Sequence, residues 1–134
     1  MFHHDKPFSG FSVNNLDQAR KFYHDTLGVD IDDTPMGMMQ LSIDEDTKVF
    51  VYEKPDHKPA TFTILNFPVD DIEEAVHELS DKGVHFEAYK EGANKTNEKG
   101  IAEPVGGRGP KIAWFKDPAG NILSVLEQPT RRAD

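Results

Sequence analysis

One pattern of residues occurs twice in this chain. The segment from Phe8 to Ala19 aligns with the segment from Ile64 to Ala75 at a constant offset of 56 residues. Each copy is a short apolar run, an Asn or Asp cap, an amphipathic stretch and a Gly-Val pair, the pairs being 28–29 and 83–84. At these glycines the offset is 55, so one helix should be one residue shorter than the other. A repeat of this length predicts two similar modules with a site where they meet.

Each copy has the signals of a strand followed by a helix. The first helix is predicted from Leu16 to Leu27, with Asn14 or Asn15 as its cap and Gly28 as its stop. The second is predicted from Ile72 to Lys82, between Asp71 and Gly83. The predicted strands are Phe8 to Val13, Met38 to Ile43 and Lys48 to Glu53 in the first half, and Phe62 to Val69, Val84 to Ala88, Lys111 to Phe115 and Ile122 to Glu127 in the second. Each module is therefore expected to be βαβββ.

Length and composition limit the classes of function. The 134 residues are expected to form a single domain, with module one at about 6–54 and module two at about 61–128. A net charge of -9 disfavours binding to nucleic acid or to anionic membrane surfaces. The absence of cysteine excludes disulfides, thiolate metal sites and cysteine nucleophiles. The first residues lack the apolar stretch of a signal peptide, so a cytoplasmic location is expected.

Strand alternation divides each sheet into two faces. In the first strand Phe11 and Val13 share the side expected to pack on the helices, and the opposite side is expected to be enclosed. The residues expected to contact a ligand on the enclosed side are Phe8, Ser12, Phe50, Tyr52, Ile64, Asn66 and Ser124, with Trp114 nearby. This set is mostly apolar, which suits an uncharged or aromatic ligand. Arg108, in the glycine-rich loop 100–109, is expected to pair with an acidic group on such a ligand.

The repeat and two short motifs resemble the vicinal oxygen chelate superfamily over roughly residues 6 to 128. Phe22-Tyr23 with Leu27-Gly28 resembles the first helix of that family, and residues 115–121 resemble its closing Phe-x-Asp-Pro-x-Gly-Asn turn. The superfamily includes glyoxalase I, extradiol dioxygenases, fosfomycin-resistance enzymes and bleomycin-resistance proteins. The resemblance implies an α+β fold in which two tandem βαβββ modules form a curved mixed sheet around a cleft. It also implies a homodimer as the expected assembly.

Metalloenzymes of that family hold a divalent metal with His and Glu at four equivalent strand positions. The resemblance places three of these positions at Phe8, Ile64 and Ser124. The fourth falls near Phe50, with Glu53 competing if the register slips. Phe and Ile offer no lone pair, and Ser is a poor ligand for a hard or borderline cation. No metal and no cofactor are therefore expected.

Three functions are consistent with these residues. The favoured one is a metal-independent protein related to the glyoxalase and bleomycin-resistance proteins, which binds a small organic molecule in the cleft. The alternative is a lyase or isomerase of the lactoylglutathione-lyase type, or a dioxygenase-related metalloenzyme with altered ligands, using His85 or Glu53. The third is an interaction module without chemistry of its own. His85 is the one histidine predicted near the cleft, whereas His57 is predicted to be a solvated linker residue. No general acid/base pair can be chosen from the sequence.

Overall fold

The chain folds into two units, each with its own mixed sheet. The computed structural model describes residues 2–3, 6–92, 95–104 and 109–127. The units are Met1–Pro59 and Ala60–Asp134. Each contains a four-stranded sheet and one helical element, which confirms the predicted α+β class. Within the described stretches, no helix combines the length and the apolar character needed to cross a bilayer.

The first unit has the predicted order of a strand, a helical element and three strands. The elements are β1 (Ser9–Val13), α1 (Leu16–Arg20), a π-helical turn (Lys21–Thr26), β2 (Asp30–Asp33), β3 (Met39–Ser42) and β4 (Lys48–Glu53). The strand order is β1-β4-β3-β2, with β1 parallel to β4 and the other pairs antiparallel. Asn15 is the cap of α1, because its side chain accepts a hydrogen bond from the backbone N–H of Gln18.

Two features of the first unit differ from the prediction. The helix is α-helical only to Arg20 and then continues as the π-helical turn, whereas a single helix to Leu27 was predicted. The order βαβββ was expected, but no residues were assigned to β2, because the sequence Asp-Ile-Asp-Asp has little intrinsic preference for a strand. Its pairing with β3 forms it, and Ile31 lies opposite the buried Leu41.

The second unit consists of one long strand, one helix and three further strands. The elements are β5 (Thr63–Val69), α2 (Ile72–Asp81), β6 (Ile101–Ala102), β7 (Lys111–Lys116) and β8 (Ile122–Glu127). The strand order is β5-β8-β7-β6, with β5 parallel to β8. Asp71 caps α2 by accepting from the N–H of Glu74 at 3.1 Å, as predicted. The buried residues Ile72 and Val76 lie on this helix, which packs on β7 and β8.

The predicted strand from Val84 to Ala88 is wrong. This segment makes one isolated bridge, between Phe86 and Phe115, and one hydrogen bond from the N–H of Glu87 to the carbonyl of Trp114. The edge position beside β7 is instead taken by β6, in which Ile101 pairs with Ala113. The apolar alternation of the segment reflects its packing on the sheet edge rather than a continuous ladder.

The closing turn confirms the predicted tight connection between β7 and β8. The carboxylate of Asp117 accepts hydrogen bonds from the N–H groups of Ala119 and Asn121, both at 2.9 Å, and from the side-chain amide of Asn121 at 3.0 Å. Asp117 and Asn121 are almost fully buried. Gly120 has φ 87°, the left-handed conformation that glycine adopts without steric cost.

Candidate ligand-binding site

In each unit the helix covers one face of the sheet, and the opposite face is called the open face below. In the first unit the helix side holds Phe11, whose ring lies 5.9 Å from that of Tyr23, and the fully buried Val13. Gly10 pairs with Phe50 and Ser12 pairs with Tyr52, so these four residues share the open face. The predicted division of β1 into two faces therefore agrees with its register.

Aromatic side chains dominate the open face of the first unit. The rings of Phe8 and Phe50 lie 4.5 Å apart between centroids. Phe8 is 65% exposed and Tyr52 is 40% exposed, which is unusual for large apolar side chains next to a sheet. The three residues offer flat apolar surface to a ligand.

Hydrogen-bonded polar groups flank this aromatic surface. The hydroxyl of Ser12 lies 2.6 Å from Nδ1 of His57, and both side chains are half-buried. His57 was predicted to be a solvated linker residue, and that prediction is wrong because the linker folds back onto the sheet. On the neighbouring strands, the Gln40 amide donates to Ser42 at 3.1 Å and the Ser42 hydroxyl donates to Asp32 at 2.8 Å.

The open face of the second unit contains three of the predicted ligand-binding residues. Asn66, Ser124 and Trp114 are consecutive partners across β5, β8 and β7. The hydroxyl of the fully buried Ser124 donates to the side-chain oxygen of the exposed Asn66 at 2.5 Å. The indole N–H of Trp114 donates to the hydroxyl of Thr63 at 3.1 Å, and the Trp114 ring lies 5.6 Å from that of Tyr89.

Thr63, rather than the predicted Ile64, lies on the open face of the second sheet. The register shifts between Thr63 and Leu65, so that Thr63 pairs with Ile122 while Leu65 pairs with Leu123. Ile64 is the extra residue of this irregularity, which strict alternation could not predict. The hydrogen bond from Trp114 to Thr63 is a consequence of the shift.

The register shows that Phe50 and Ser124 occupy equivalent positions in the two sheets. Phe50 lies beside Gly10, and Ser124 lies beside Asn66, which is 56 residues after Gly10. Phe50 and Ser124 are therefore equivalent. Glu53 is not a competitor, because it pairs with Val13 on the helix side and its carboxylate accepts from the N–H of Leu16 at 2.9 Å.

The side chains at these positions do not fit a divalent cation. Phe8 and Phe50 have no donor atom, and the Ser124 hydroxyl is engaged with Asn66. Neither Ile64 nor its neighbour Thr63 is a ligand of the required kind. Throughout the described residues, no group of three or more His, Asp or Glu side chains is placed to hold a metal ion.

His85 and Arg108, two further candidate residues, are not among the described residues of the open faces. His85 is exposed and lines a groove beside α2, on a different part of the second unit from Asn66 and Ser124. Arg108 lies outside the described residues. The shifted pKa values also belong to exposed groups elsewhere: hydrogen bonding to Lys54 lowers the pKa of Asp56, and backbone N–H groups lower the pKa of Asp44.

Comparison with known families identifies this fold. Residues 8–125 match the model of the glyoxalase/bleomycin resistance protein/dioxygenase superfamily. The chain belongs to this superfamily. No curated protein sequence matches the chain.

Solved structures agree with membership of the superfamily. TnmS3, an antibiotic binding protein from a Streptomyces species, is 23% identical with a TM-score of 0.66, over 95% of this chain and 100% of that one. The genomically encoded fosfomycin resistance protein FosX from Listeria monocytogenes is 12% identical with a TM-score of 0.70, over 96% of each chain. A superfamily member from Sphaerobacter thermophilus is 22% identical with a TM-score of 0.66, over 91% of this chain and 97% of that one. At these identities the likeness concerns the fold.

Proposed function

We propose that this protein binds a small uncharged or aromatic organic molecule on the open faces of its sheets, without a metal of the superfamily type. The observation that carries the proposal is the pair formed by Phe8 and Phe50, whose rings are in contact at positions where metalloenzymes of the family have ligands. Aromatic rings there remove the donor atoms and add an apolar surface at the same place.

The exposed aromatic side chains favour a flat ligand. Leaving most of the Phe8 ring and part of the Tyr52 ring in water forgoes a favourable transfer of about 25 cal/mol for each Å² of apolar area. A planar molecule that covers both rings recovers that free energy. Apolar surface with a few fixed polar groups is typical of small-molecule sites.

On each open face, a polar pair would orient a ligand bound to that face. Ser12 with His57, and Asn66 with Ser124, are joined by hydrogen bonds that fix the positions of these side chains. Arg108 is proposed to pair with an acidic group where the ligand carries one. TnmS3 is described as an antibiotic binding protein, and by analogy antibiotics are one class of ligand to screen.

The alternative of a lyase or isomerase depends on His85 or Glu53 as a replacement ligand or base. Glu53 accepts a hydrogen bond from the N–H of Leu16 at the start of α1, on the helix side of its sheet. His85 lies beside the groove next to α2 rather than among the open-face residues. The described geometry therefore favours binding over catalysis through these two side chains.

Elemental analysis of untagged protein tests the metal-independent part of the proposal. The expected result is no stoichiometric Zn, Ni, Mn or Fe after dialysis against a weak chelator. About one metal ion per chain, retained through the dialysis, would contradict it, because tightly held structural or catalytic ions survive such treatment.

Ligand binding is tested with a thermal-shift screen of uncharged aromatic compounds, followed by titration calorimetry on the strongest hit. Asn66→Leu and Trp114→Ala are each expected to weaken binding about tenfold or more, because each removes a packing or hydrogen-bonding group from the site. Asn14→Leu makes the same chemical change at an exposed position before α1 and is expected to bind as the unaltered protein does. If both open-face variants also bind normally, the site is elsewhere.

A further inference from the structure

A groove in the second unit is separate from the open face. It has a volume of about 880 Å³ and lies between α2 and the described parts of the segment that follows it, 84–90 and 96–100. Val76 and Val84, both nearly buried, contribute apolar lining, and His77, His85 and Lys90 contribute polar groups. Small-molecule sites commonly have volumes of about 300–1,000 Å³, so the groove has the size of a ligand site.

Specific contacts hold the walls of the groove in place. Tyr89 and Thr96 are joined by two hydrogen bonds of 2.8 Å, one between backbone groups and one from the Tyr89 N–H to the Thr96 hydroxyl. Gly100 has φ 85° and approaches Phe86 so closely that a Cβ atom would lie 2.9 Å from the Phe86 Cβ. The groove is therefore formed by the fold before any ligand arrives.

The acidic side chains around the groove are both associated with one lysine, whereas two basic side chains have no acidic partner among the described residues. Glu73 and Lys99 form an ion pair at 2.7 Å, which lowers the pKa of Glu73 and raises that of Lys99. The charge of Glu98 adds to the raised pKa of Lys99, so both acidic side chains of the groove are associated with this lysine. Lys90 and His85 form no ion pair with any other described residue. They remain available to an anion.

We propose that the groove is a second binding site, which takes a small organic anion with a flat apolar body. The apolar body would lie against the exposed ring of Tyr89 and the half-buried Phe86, and the acidic group would meet Lys90 and His85. Burial of apolar surface supplies the affinity, and the cationic side chain selects an anion over a neutral analogue.

The probe for this site is 8-anilinonaphthalene-1-sulfonate, which combines a flat aromatic body with one sulfonate. Amide chemical shifts recorded during its titration are expected to change at groove residues such as Val76, His77 and Val84. Shift changes confined to residues outside the groove would overturn the proposal.

Two variants and a matched control test the location and the class of ligand. Lys90→Glu is expected to weaken binding of the probe about tenfold or more, because it replaces a charge-assisted contact with repulsion. Ala88→Phe, at an exposed position of the lining, is expected to do the same by filling the groove. Lys58→Glu makes the same charge change at an exposed residue that does not line the groove and is expected to leave the affinity within about twofold.

The outcomes separate this proposal from the function proposed above. Asn66→Leu alters the open face and is expected to leave binding of the probe in the groove unchanged. If Lys90→Glu and Ala88→Phe both bind the probe as tightly as the unaltered protein does, the groove is not its site. Uncharged N-phenyl-1-naphthylamine is expected to bind about tenfold more weakly than the sulfonate, because it lacks the charge-assisted contact. Equally tight binding would overturn the assignment to anions.

Discussion

Polar residues within apolar strands have specific partners in this protein. Ser12 is paired with His57, and Asn66 with Ser124, so the polar atoms of the open faces are hydrogen-bonded to each other. Among the described residues, no buried side-chain nitrogen or oxygen is without a partner. Because an unsatisfied buried polar group costs about 1–3 kcal/mol, such pairs keep the open faces compatible with a stable fold.

Gly120 gives the first prediction at the scale of single residues. Gly120→Val is expected to lower the free energy of unfolding by about 1 kcal/mol or more, because a β-branched side chain is strained at a positive φ. Urea-induced unfolding measures the change. Ala119→Val, in the same turn, adds a similar side chain at a residue without a positive φ and is expected to cost less. Equal stability of Gly120→Val and the unaltered protein would contradict the role assigned to this glycine.

The ion pair of Glu73 and Lys99 gives a prediction about pH. Hydrogen bonding to Lys99 lowers the pKa of Glu73 below its ordinary value of 4.5. The pair therefore stabilises the fold above that pH, and its contribution is lost as the pH falls through the lowered pKa. In Lys99→Met the pKa of Glu73, measured by NMR titration, is expected to rise toward the ordinary value. Lys82→Met is the control and is expected to leave it unchanged; a rise of the same size there would contradict the assignment.

At the scale of elements, the π-helical turn explains the change of offset in the repeat. The offset falls from 56 to 55 between the helix starts and the glycines, so the first copy contains one residue more. The structure accommodates that residue within the helix, where the N–H of Leu27 bonds to the carbonyl of Phe22. After this helix the N–H of Val29 bonds to the carbonyl of Tyr23, six residues earlier, whereas the equivalent N–H of Val84 in the second copy bonds to Leu79, only five residues earlier. Most π-helical segments in proteins are single turns of this kind within an α-helix.

Deleting the inserted residue tests this explanation. Removal of the exposed Asp25 is expected to convert the π-helical turn to α-helix and to preserve cooperative unfolding, because the second copy shows that the shorter helix fits its sheet. Removal of the exposed Glu78 from α2 is the comparison, and it is expected to cost about 2–5 kcal/mol by moving apolar residues off the buried face. Thermal unfolding followed by circular dichroism measures both. A larger loss for the Asp25 deletion than for the Glu78 deletion would contradict the explanation.

At the scale of the whole molecule, each sheet ends in two edge strands, each paired on one side only within the part of the chain that the structure describes. These edge strands are β1 and β2 in the first sheet and β5 and β6 in the second. Unpaired backbone groups at such edges favour pairing or coverage by another chain. Strand β6 is only two residues long, so the edge that it forms offers few backbone groups for pairing with another chain.

Assembly is the prediction at this scale. A homodimer is expected, because a two-fold dimer is the commonest way in which a small soluble domain covers exposed surface. Light scattering across a wide range of concentrations is expected to give twice the mass of the single chain. A mass equal to that of one chain at every concentration would refute the prediction.

Local patterns in the sequence were sufficient for much of the architecture. The internal repeat predicted two units of the same element order, and the caps Asn15 and Asp71 and the turn at Asp117 lie where their residue types indicated. Strand alternation also placed Phe50, Asn66 and Ser124 on their faces. These features depend on residues that are close in sequence, so helix and strand periods are enough to read them.

Other features depend on which distant segments meet, and only the tertiary structure decided them. His57 reaches Ser12 because the linker folds back over the first sheet, and Thr63 takes the place of Ile64 because β5 shifts register against β8. The acidic strand β2 forms because β3 offers it a ladder, despite a composition that disfavours strands. The groove beside α2 forms because segment 84–90 makes only one isolated bridge to β7, between Phe86 and Phe115. Non-local hydrogen bonds and packing can outweigh local preference, and they depend on contacts between distant segments that a local sequence pattern does not contain.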